Sequence, residues 1–194
     1  NGEKNWNNGK TYIYDSQELF VAEESDGLEY QLAITNDNRY VYYAFAKLME
    51  KAGMITAMNT IQGLYASHFI AFIPTNNAIK NALATDKIPG IKGSFDDNGV
   101  LKATVNDVLT LRRYLLSHFI SDMSNVITTY PYPGSAMKNG EYVTSGQTNL
   151  KYTDAGNSIS VQLENGNIAN VISDYNFFPF AFNDGCFHLI DVVL

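Results

Sequence analysis

The sequence has little cysteine, little positive charge and no long apolar run. Its 194 residues include one cysteine, Cys186, which excludes an internal disulfide and a zinc site built from cysteines. The apolar runs are no longer than a strand, which excludes a transmembrane helix. Lys and Arg number 13 against 20 Asp and Glu, giving a formal charge of -7. No basic surface for nucleic acid or anionic lipid is therefore expected.

Asparagine is common, with 21 residues, yet no Asn-x-Ser/Thr sequon occurs. N-linked glycosylation is therefore not expected. The chain has no initial Met and no charged-then-apolar leader, so we expect a mature or trimmed form. Hydrophobic residues make up 45% and charged residues 17%, which is typical of a globular protein and not of a disordered one. We expect one domain at residues 37–194, preceded at residues 1–36 by an extension or the tail of a preceding segment.

Apolar residues at helical spacing dominate the first half of that domain. They predict helices over residues 39–52, 56–64, 75–84 and 104–118. The oxygens of residues 36–38 are expected to cap the first helix, and Gly53 to end it. Residues 87–99 are interpreted as a loop, in which 96–99 form a turn because the spacing of a calcium loop is missing.

The apolar run at residues 68–73 predicts a buried strand that closes at Pro74. Proline has no N–H to give to a ladder, so it ends the strand and fixes φ for the turn. Thr75 or Asn76 then offers a side-chain oxygen to the unpaired N–H groups of the next helix.

Beyond His118 the spacing of apolar residues changes from 3.6 to 2. We predict strands at residues 126–130, 141–144, 149–153, 158–164, 167–172 and 186–193. The Asn-Gly pair at 165–166 indicates a hairpin. Helices followed by paired strands favour an α+β domain and not an alternating parallel one.

Four segments, in this order, resemble those of fasciclin-type domains. Their sequences are FIPTNNAI at residues 72–79, LLSHF at 115–119, TSGQTNL at 144–150 and DGCFHLIDVVL at 184–194. The resemblance implies a wedge of two small β-sheets with helices packed around one edge. It also implies a non-catalytic adhesion or binding module that is extracellular, on the cell surface or periplasmic. The motif positions that we interpret as structural are Pro74, Thr75, Asn76, His118, Gly185, His188 and Asp191.

The sequence departs from the family where some animal members engage integrins. The family's Asp-Ile pair is replaced by Asp174 followed by Tyr175, and Ser117 stands where the Tyr of a Tyr-His pair is usual. We therefore do not expect this chain to bind integrins. Abundant Asn, without disulfides or sequons, favours a bacterial envelope protein, such as a lipoprotein domain whose anchor lies outside this chain.

Catalytic, metal and cofactor sites find little support in the sequence. Adjacent pairs such as Ser117 and His118 face apart, and no Gly-x-Ser-x-Gly elbow occurs. The three histidines lack the spacing of metal ligands. His188 and Asp191 are three apart on a predicted strand, so they point to opposite faces. A histidine-centred enzyme is the alternative, and it requires His118 or His188 to be open to solvent.

Two aromatic segments are the candidate recognition sites. YPYPG at residues 130–134 favours an extended conformation with Tyr130 and Tyr132 pointing outward. YNFFPFAF at 175–182 contributes Tyr175, Phe178 and Phe180. We predict that these rings contact a protein or glycan partner at the cell surface. Open alternatives are a rigid connector for the first segment, a core plug for the second, or a wall of a site for a small apolar ligand.

Overall fold

The computed structural model describes residues 2–6, 9–13, 32, 35–64, 69–121, 137–164, 166–172, 180–182 and 185–194. The helices within these ranges are α1 (Tyr43–Lys51), α2 (Asn76–Ala84) and α3 (Val108–Leu116). The strands are β1 (Gly2–Trp6), β2 (Gly9–Ile13), β3 (Phe69–Pro74), β4 (Ile91–Phe95), β5 (Leu101–Val105), β6 (Phe119–Ser121), β7 (Gly140–Val143), β8 (Asn149–Asp154), β9 (Ile159–Leu163), β10 (Ile168–Asn170), β11 (Phe180–Phe182) and β12 (Gly185–Ile190). None of the helices in these ranges is long and apolar enough to cross a membrane.

The described strands form two four-stranded sheets and two hairpins. The central sheet has the order β11-β12-β3-β6, and the outer sheet has the order β10-β9-β8-β7. β12 runs parallel to β3, with His188 opposite Phe72. The outer sheet is antiparallel throughout, and its β9–β10 pair confirms the predicted hairpin. The predicted α+β class, with two small sheets and flanking helices, is confirmed.

The central sheet is buried on both faces, because alternate residues of β3 and β12 enter different cores. Phe69, Ala71 and Ile73 of β3 pack into a core shared with the helices. Ile70 and Phe72 pack into a second core against the outer sheet. A strand buried on both sides needs the continuous apolar run that the sequence shows at residues 68–73.

The segment that follows β3 ties this sheet to α2. The Thr75 N–H donates to the Ile190 carbonyl at 3.2 Å, which extends the β3–β12 pairing beyond Pro74. The Thr75 hydroxyl accepts from the Ala78 N–H, also at 3.2 Å. Of the two predicted caps, Thr75 is therefore the one that caps α2.

Asn76 instead caps a different helix. Its Oδ1 accepts from the Ala44 N–H in the first turn of α1 at 2.8 Å, and its Nδ2 donates to the Tyr40 carbonyl at 2.7 Å. Its backbone N–H donates to the Val41 carbonyl at 2.8 Å. The prediction that residues 36–38 cap α1 is wrong, because α1 begins at Tyr43 and receives its cap from a residue 32 positions later.

The predicted helix at residues 56–64 is also wrong. Ile55 and Ile61 form an isolated antiparallel bridge, which closes a turn between them. The Thr56 hydroxyl is 2.7 Å from the Thr60 hydroxyl and accepts from the Thr60 N–H. Threonine side chains compete in this way with helical hydrogen bonds, so apolar spacing alone misleads here.

The predicted loop at residues 87–99 contains a strand. β4 pairs with β5 from Ile91 opposite Val105 to Phe95 opposite Leu101. The turn at 96–99 is confirmed, since Asp96 Oδ1 accepts from two backbone N–H groups that follow it, at 3.0 and 2.9 Å. These bonds lower the pKa of Asp96, led by the bond from Val100.

The helix predicted from Thr104 begins four residues later, at Val108. Thr104 belongs to β5, where it pairs with Lys92. Asp107 is the cap, because its Oδ1 accepts from the Thr110 N–H at 3.0 Å. At the other end of the chain, β12 stops at Ile190, so Asp191 lies beyond the strand.

We expect Asn76→Ala to lower the free energy of unfolding by about 2–3 kcal/mol, because the Ala44 N–H and the Tyr40 carbonyl lose their partner. Chemical denaturation measures the change. Asn77→Ala is the matched control, since Asn77 is exposed and makes no such bonds. Equal losses in the two variants would contradict the capping role.

Candidate functional site

The predicted recognition rings lie largely outside the described part of the chain. Tyr130, Tyr132, Tyr175 and Phe178 belong to ranges that the structure does not describe. Phe180 lies in β11, where its backbone pairs with Phe187 of β12. The contact of these rings with a partner remains a prediction. So does the alternative in which residues 175–182 form one wall of a site for a small apolar ligand.

His118 is buried in the helical core at the end of α3. Its Nδ1 is 3.1 Å from the Tyr114 carbonyl, and since a carbonyl only accepts, Nδ1 carries the proton. The rings of Phe45 and Tyr114 pack edge-on against the imidazole. Burial lowers the pKa of His118 to about 4, so the ring is neutral at pH 7. It anchors the last turn of α3 through a hydrogen bond and not through a charge on the helix dipole.

His188 is buried in the second core. Its ring stacks on Phe72, with centroids 5.7 Å apart, and burial lowers its pKa to about 4. The Asp191 carboxylate does not approach this ring as a dyad would; it accepts from the N–H and Nδ2 of Asn170 at 2.8 and 2.9 Å. Neither His118 nor His188 is open to solvent. The alternative hypothesis of a catalytic site centred on His118 or His188 is therefore wrong.

Ser117 is a packing residue and not a nucleophile. It is buried, and its hydroxyl donates to the Arg113 carbonyl at 2.9 Å and accepts from the Thr148 hydroxyl at 3.0 Å. The turn at residues 144–148 presses its Gly146 against this helix end. A Cβ on Gly146 would lie 2.4 Å from the Ser117 hydroxyl and 2.5 Å from the Arg113 carbonyl.

No group of three His, Cys, Asp or Glu side chains within the described ranges is arranged to hold a metal ion. Cys186, the one thiol, is buried at the outer-sheet side of β12. The side chains of Ser117 and His118 thus contribute to packing and to the end of α3.

The described surface contains a groove that the sequence did not indicate. It encloses about 420 Å³ between α2, the β9–β10 hairpin and the residues that follow β12. Its floor includes the small side chains Ala78 and Ala82, which are buried. Ile168, 60% exposed, and Val192, 37% exposed, form apolar walls.

Polar side chains surround these apolar walls. Asn81, Lys87 and Asn167 line the groove and are exposed. Asp191 also lines it, but Asn170 occupies its carboxylate. The alternating apolar residues at 167–172 place Ile168 on the face opposite the buried Ala169, but this pattern does not show what lies beside Ile168.

The fold is similar to that of a FAS1 domain pair from the insect cell adhesion molecule fasciclin I, with a TM-score of 0.53 and 18% sequence identity. The likeness covers 81% of this chain and 46% of that structure, so the chain spans less than half of the domain pair. No sequence-family model matches the chain, and no curated protein is significantly similar to it in sequence. At this identity the likeness shows a FAS1-like fold, and the predicted resemblance is confirmed to that extent.

We expect the free energy of unfolding to fall as the pH drops from about 6.5 to about 4. Unfolded histidines take up protons below pH 6.5, whereas His118 and His188 stay neutral in the fold down to about pH 4. Each contributes a loss of roughly 3 kcal/mol over this window. Urea unfolding at a series of pH values measures it.

The control for this pH dependence is the double variant His118→Leu and His188→Leu. It should show a flatter profile between pH 6.5 and 4.5, whatever its stability at pH 7. His68 is present in the original chain and in the double variant, so it affects the pH profiles of the two proteins alike. Parallel profiles for the two proteins would show that these histidines titrate normally in the fold.

Gly146→Ala is expected to lower the free energy of unfolding by about 2–3 kcal/mol, because its methyl group overlaps the end of α3. In a protein that already carries Ser117→Ala, adding Gly146→Ala should lower the free energy of unfolding by about the same amount, since the Arg113 carbonyl still blocks the Cβ. Thermal unfolding of the single and double variants tests this. No loss on the Ser117→Ala background would locate the overlap at the serine alone.

Proposed function

We propose that the chain is a non-catalytic adhesion or binding module that recognises a protein or glycan partner outside the cell or in the cell envelope. The observation that supports this proposal is the FAS1-like fold, shared with a domain pair from a cell adhesion molecule. Fold alone does not fix function, so the proposal also depends on the surface and on the use of the polar groups.

The polar side chains of the described motifs are engaged within the protein. Thr75, Asn76 and Ser117 form caps and packing contacts, and Asp191 fastens β10 to the end of β12. A catalytic site needs a nucleophile, base or metal that faces a cleft. The two described histidines face cores instead. Binding, unlike catalysis, requires only a surface that is complementary to the partner.

The proposed location is the cell envelope, with membrane contact through an anchor outside this chain. The sequence supports it by its abundant asparagine and by the lack of sequons and internal disulfides. The aromatic pairs at 130–132 and 178–180 are the proposed contacts, because tyrosine and phenylalanine supply large contact area with few rotatable bonds.

A binding screen tests this function. The full chain is immobilised and probed with arrays of matrix proteins, envelope proteins and glycans. We expect at least one saturable partner, and about a tenfold weaker Kd when Tyr130 and Tyr132, or Phe178 and Phe180, are changed to Ser. Met58→Ser is the matched control, since Met58 is an apolar side chain, 73% exposed, elsewhere on the surface.

Two results would contradict the proposal. One is an array without any saturable partner. The other is turnover of a substrate by the purified chain that depends on one of its own side chains. If binding is found but the aromatic variants bind normally, the function holds and the predicted contacts are wrong.

A further inference from the structure

The described part of the chain contains two complete Asn-Gly pairs, Asn98-Gly99 and Asn139-Gly140. Both asparagines are exposed to solvent, so burial protects neither. In such a pair the backbone nitrogen of the glycine can attack the side-chain carbonyl carbon of the asparagine, because glycine has no side chain to obstruct the approach. The hydrogen bonds around the two pairs differ, and they decide which asparagine can react.

This reaction consumes water and needs no enzyme, metal or oxidant. The glycine nitrogen gives up its proton to solvent and forms a bond to Cγ of the asparagine. The Cγ–Nδ2 bond breaks, and the Nδ2 group takes a proton from solvent and leaves as ammonia. The product is a cyclic imide, the succinimide. Water then opens the imide at one of its two carbonyls, which leaves either aspartate or isoaspartate, in which the main chain runs through Cγ.

The carboxamide of Asn139 is held at both of its polar atoms. Its Oδ1 accepts from the Asp154 N–H at 2.6 Å, and its Nδ2 donates to the Asp154 carbonyl at 3.1 Å. The next residue, Gly140, begins β7 and pairs with β8. Cγ can turn toward the Gly140 nitrogen only after both side-chain bonds have opened. Their opening costs free energy, so the folded chain protects Asn139.

The carboxamide of Asn98 is not held in this way. Only the backbone of Asn98 is bonded: its N–H donates to Asp96 Oδ1 at 3.0 Å, and its carbonyl accepts from Asn38 Nδ2 at 2.5 Å. Among the residues that the structure describes, the Asn98 side chain has no hydrogen-bond partner. Its Cγ can therefore rotate without breaking a side-chain bond.

One backbone bond at this turn opposes the reaction. The Gly99 N–H donates to the Asp96 carbonyl at 2.9 Å, and this bond must open before the nitrogen can attack. It lies in the exposed turn between β4 and β5, where Gly99 has a φ of +74°. We therefore expect Asn98 to react more slowly in the fold than in the unfolded chain, but faster than Asn139.

We propose that Asn98 is a self-modification site, which the folded chain converts to aspartate or isoaspartate while Asn139 is protected. The product places a new carboxylate beside Asp96 and Asp97. As isoaspartate it also lengthens the main chain at the carbonyl that accepts from Asn38. The inference is independent of the proposed binding function, so either can fail without the other.

Incubation of the full chain in mildly alkaline buffer made with heavy-oxygen water tests the proposal. Digestion in ordinary water and mass spectrometry then identify each residue that has exchanged its amide for an acid. Only a residue that reacted during the incubation carries heavy oxygen. The product at Asn98 should accumulate at least about tenfold faster than that at Asn139, because opening the two bonds to Asp154 slows the reaction by about this factor.

Two controls separate the effect of the fold from that of the sequence. In the same chain unfolded in urea, the rates at Asn98 and Asn139 should converge, since both asparagines precede a glycine. Asn98→Gln should abolish the product at this position, because glutamine would have to close a larger and slower ring. This variant should leave the rate at Asn139 unchanged. The product at Asn98 should contain isoaspartate as well as aspartate, since the imide opens at either carbonyl.

Three outcomes would overturn the inference. One is an equal or faster reaction at Asn139 in the folded chain. Another is a difference between the two positions that persists unchanged in urea, which would show that the local sequence sets the rates. The third is a product at Asn98 that contains aspartate alone, because direct hydrolysis of the amide would then replace attack by the Gly99 nitrogen.

Discussion

The carboxamide of Asn76 is the interaction on which the rest of the architecture depends. It lies one residue after the cap of α2, yet it caps α1 and holds the Tyr40 carbonyl as well. Its neighbour Thr75 bonds the last residue of β12. Two adjacent residues, Thr75 through its backbone N–H and hydroxyl and Asn76 through its carboxamide, thus extend the pairing of the central strands and cap two helices. Because the Ala44 N–H is buried, no solvent bond can replace this one without cost.

Burial of the central sheet on both faces determines what the polar residues in it and beside it do. His118 and His188 are neutral, because charging either ring inside a core would cost more than its contacts return. Ser117 and Thr148 bond each other and the end of α3. Polar groups that satisfy one another in this way specify one packing arrangement.

The groove follows from how the two cores meet. α2 belongs to the helical core, whereas β10 belongs to the core beneath the outer sheet, and the residues after β12 run between them.

The sequence by itself determined the fold class, the buried strand at β3 and the β9–β10 hairpin, and it limited the cap of α2 to Thr75 or Asn76. These follow from local rules: the period of apolar residues, the missing N–H of Pro74 and the hydroxyl of Thr75. Only the tertiary structure decided that Asn76 caps α1, that residues 91–105 pair as a hairpin and that Ile168 faces a groove. Those outcomes depend on partners distant in sequence, and a local pattern carries no information about which buried N–H will lack a bond.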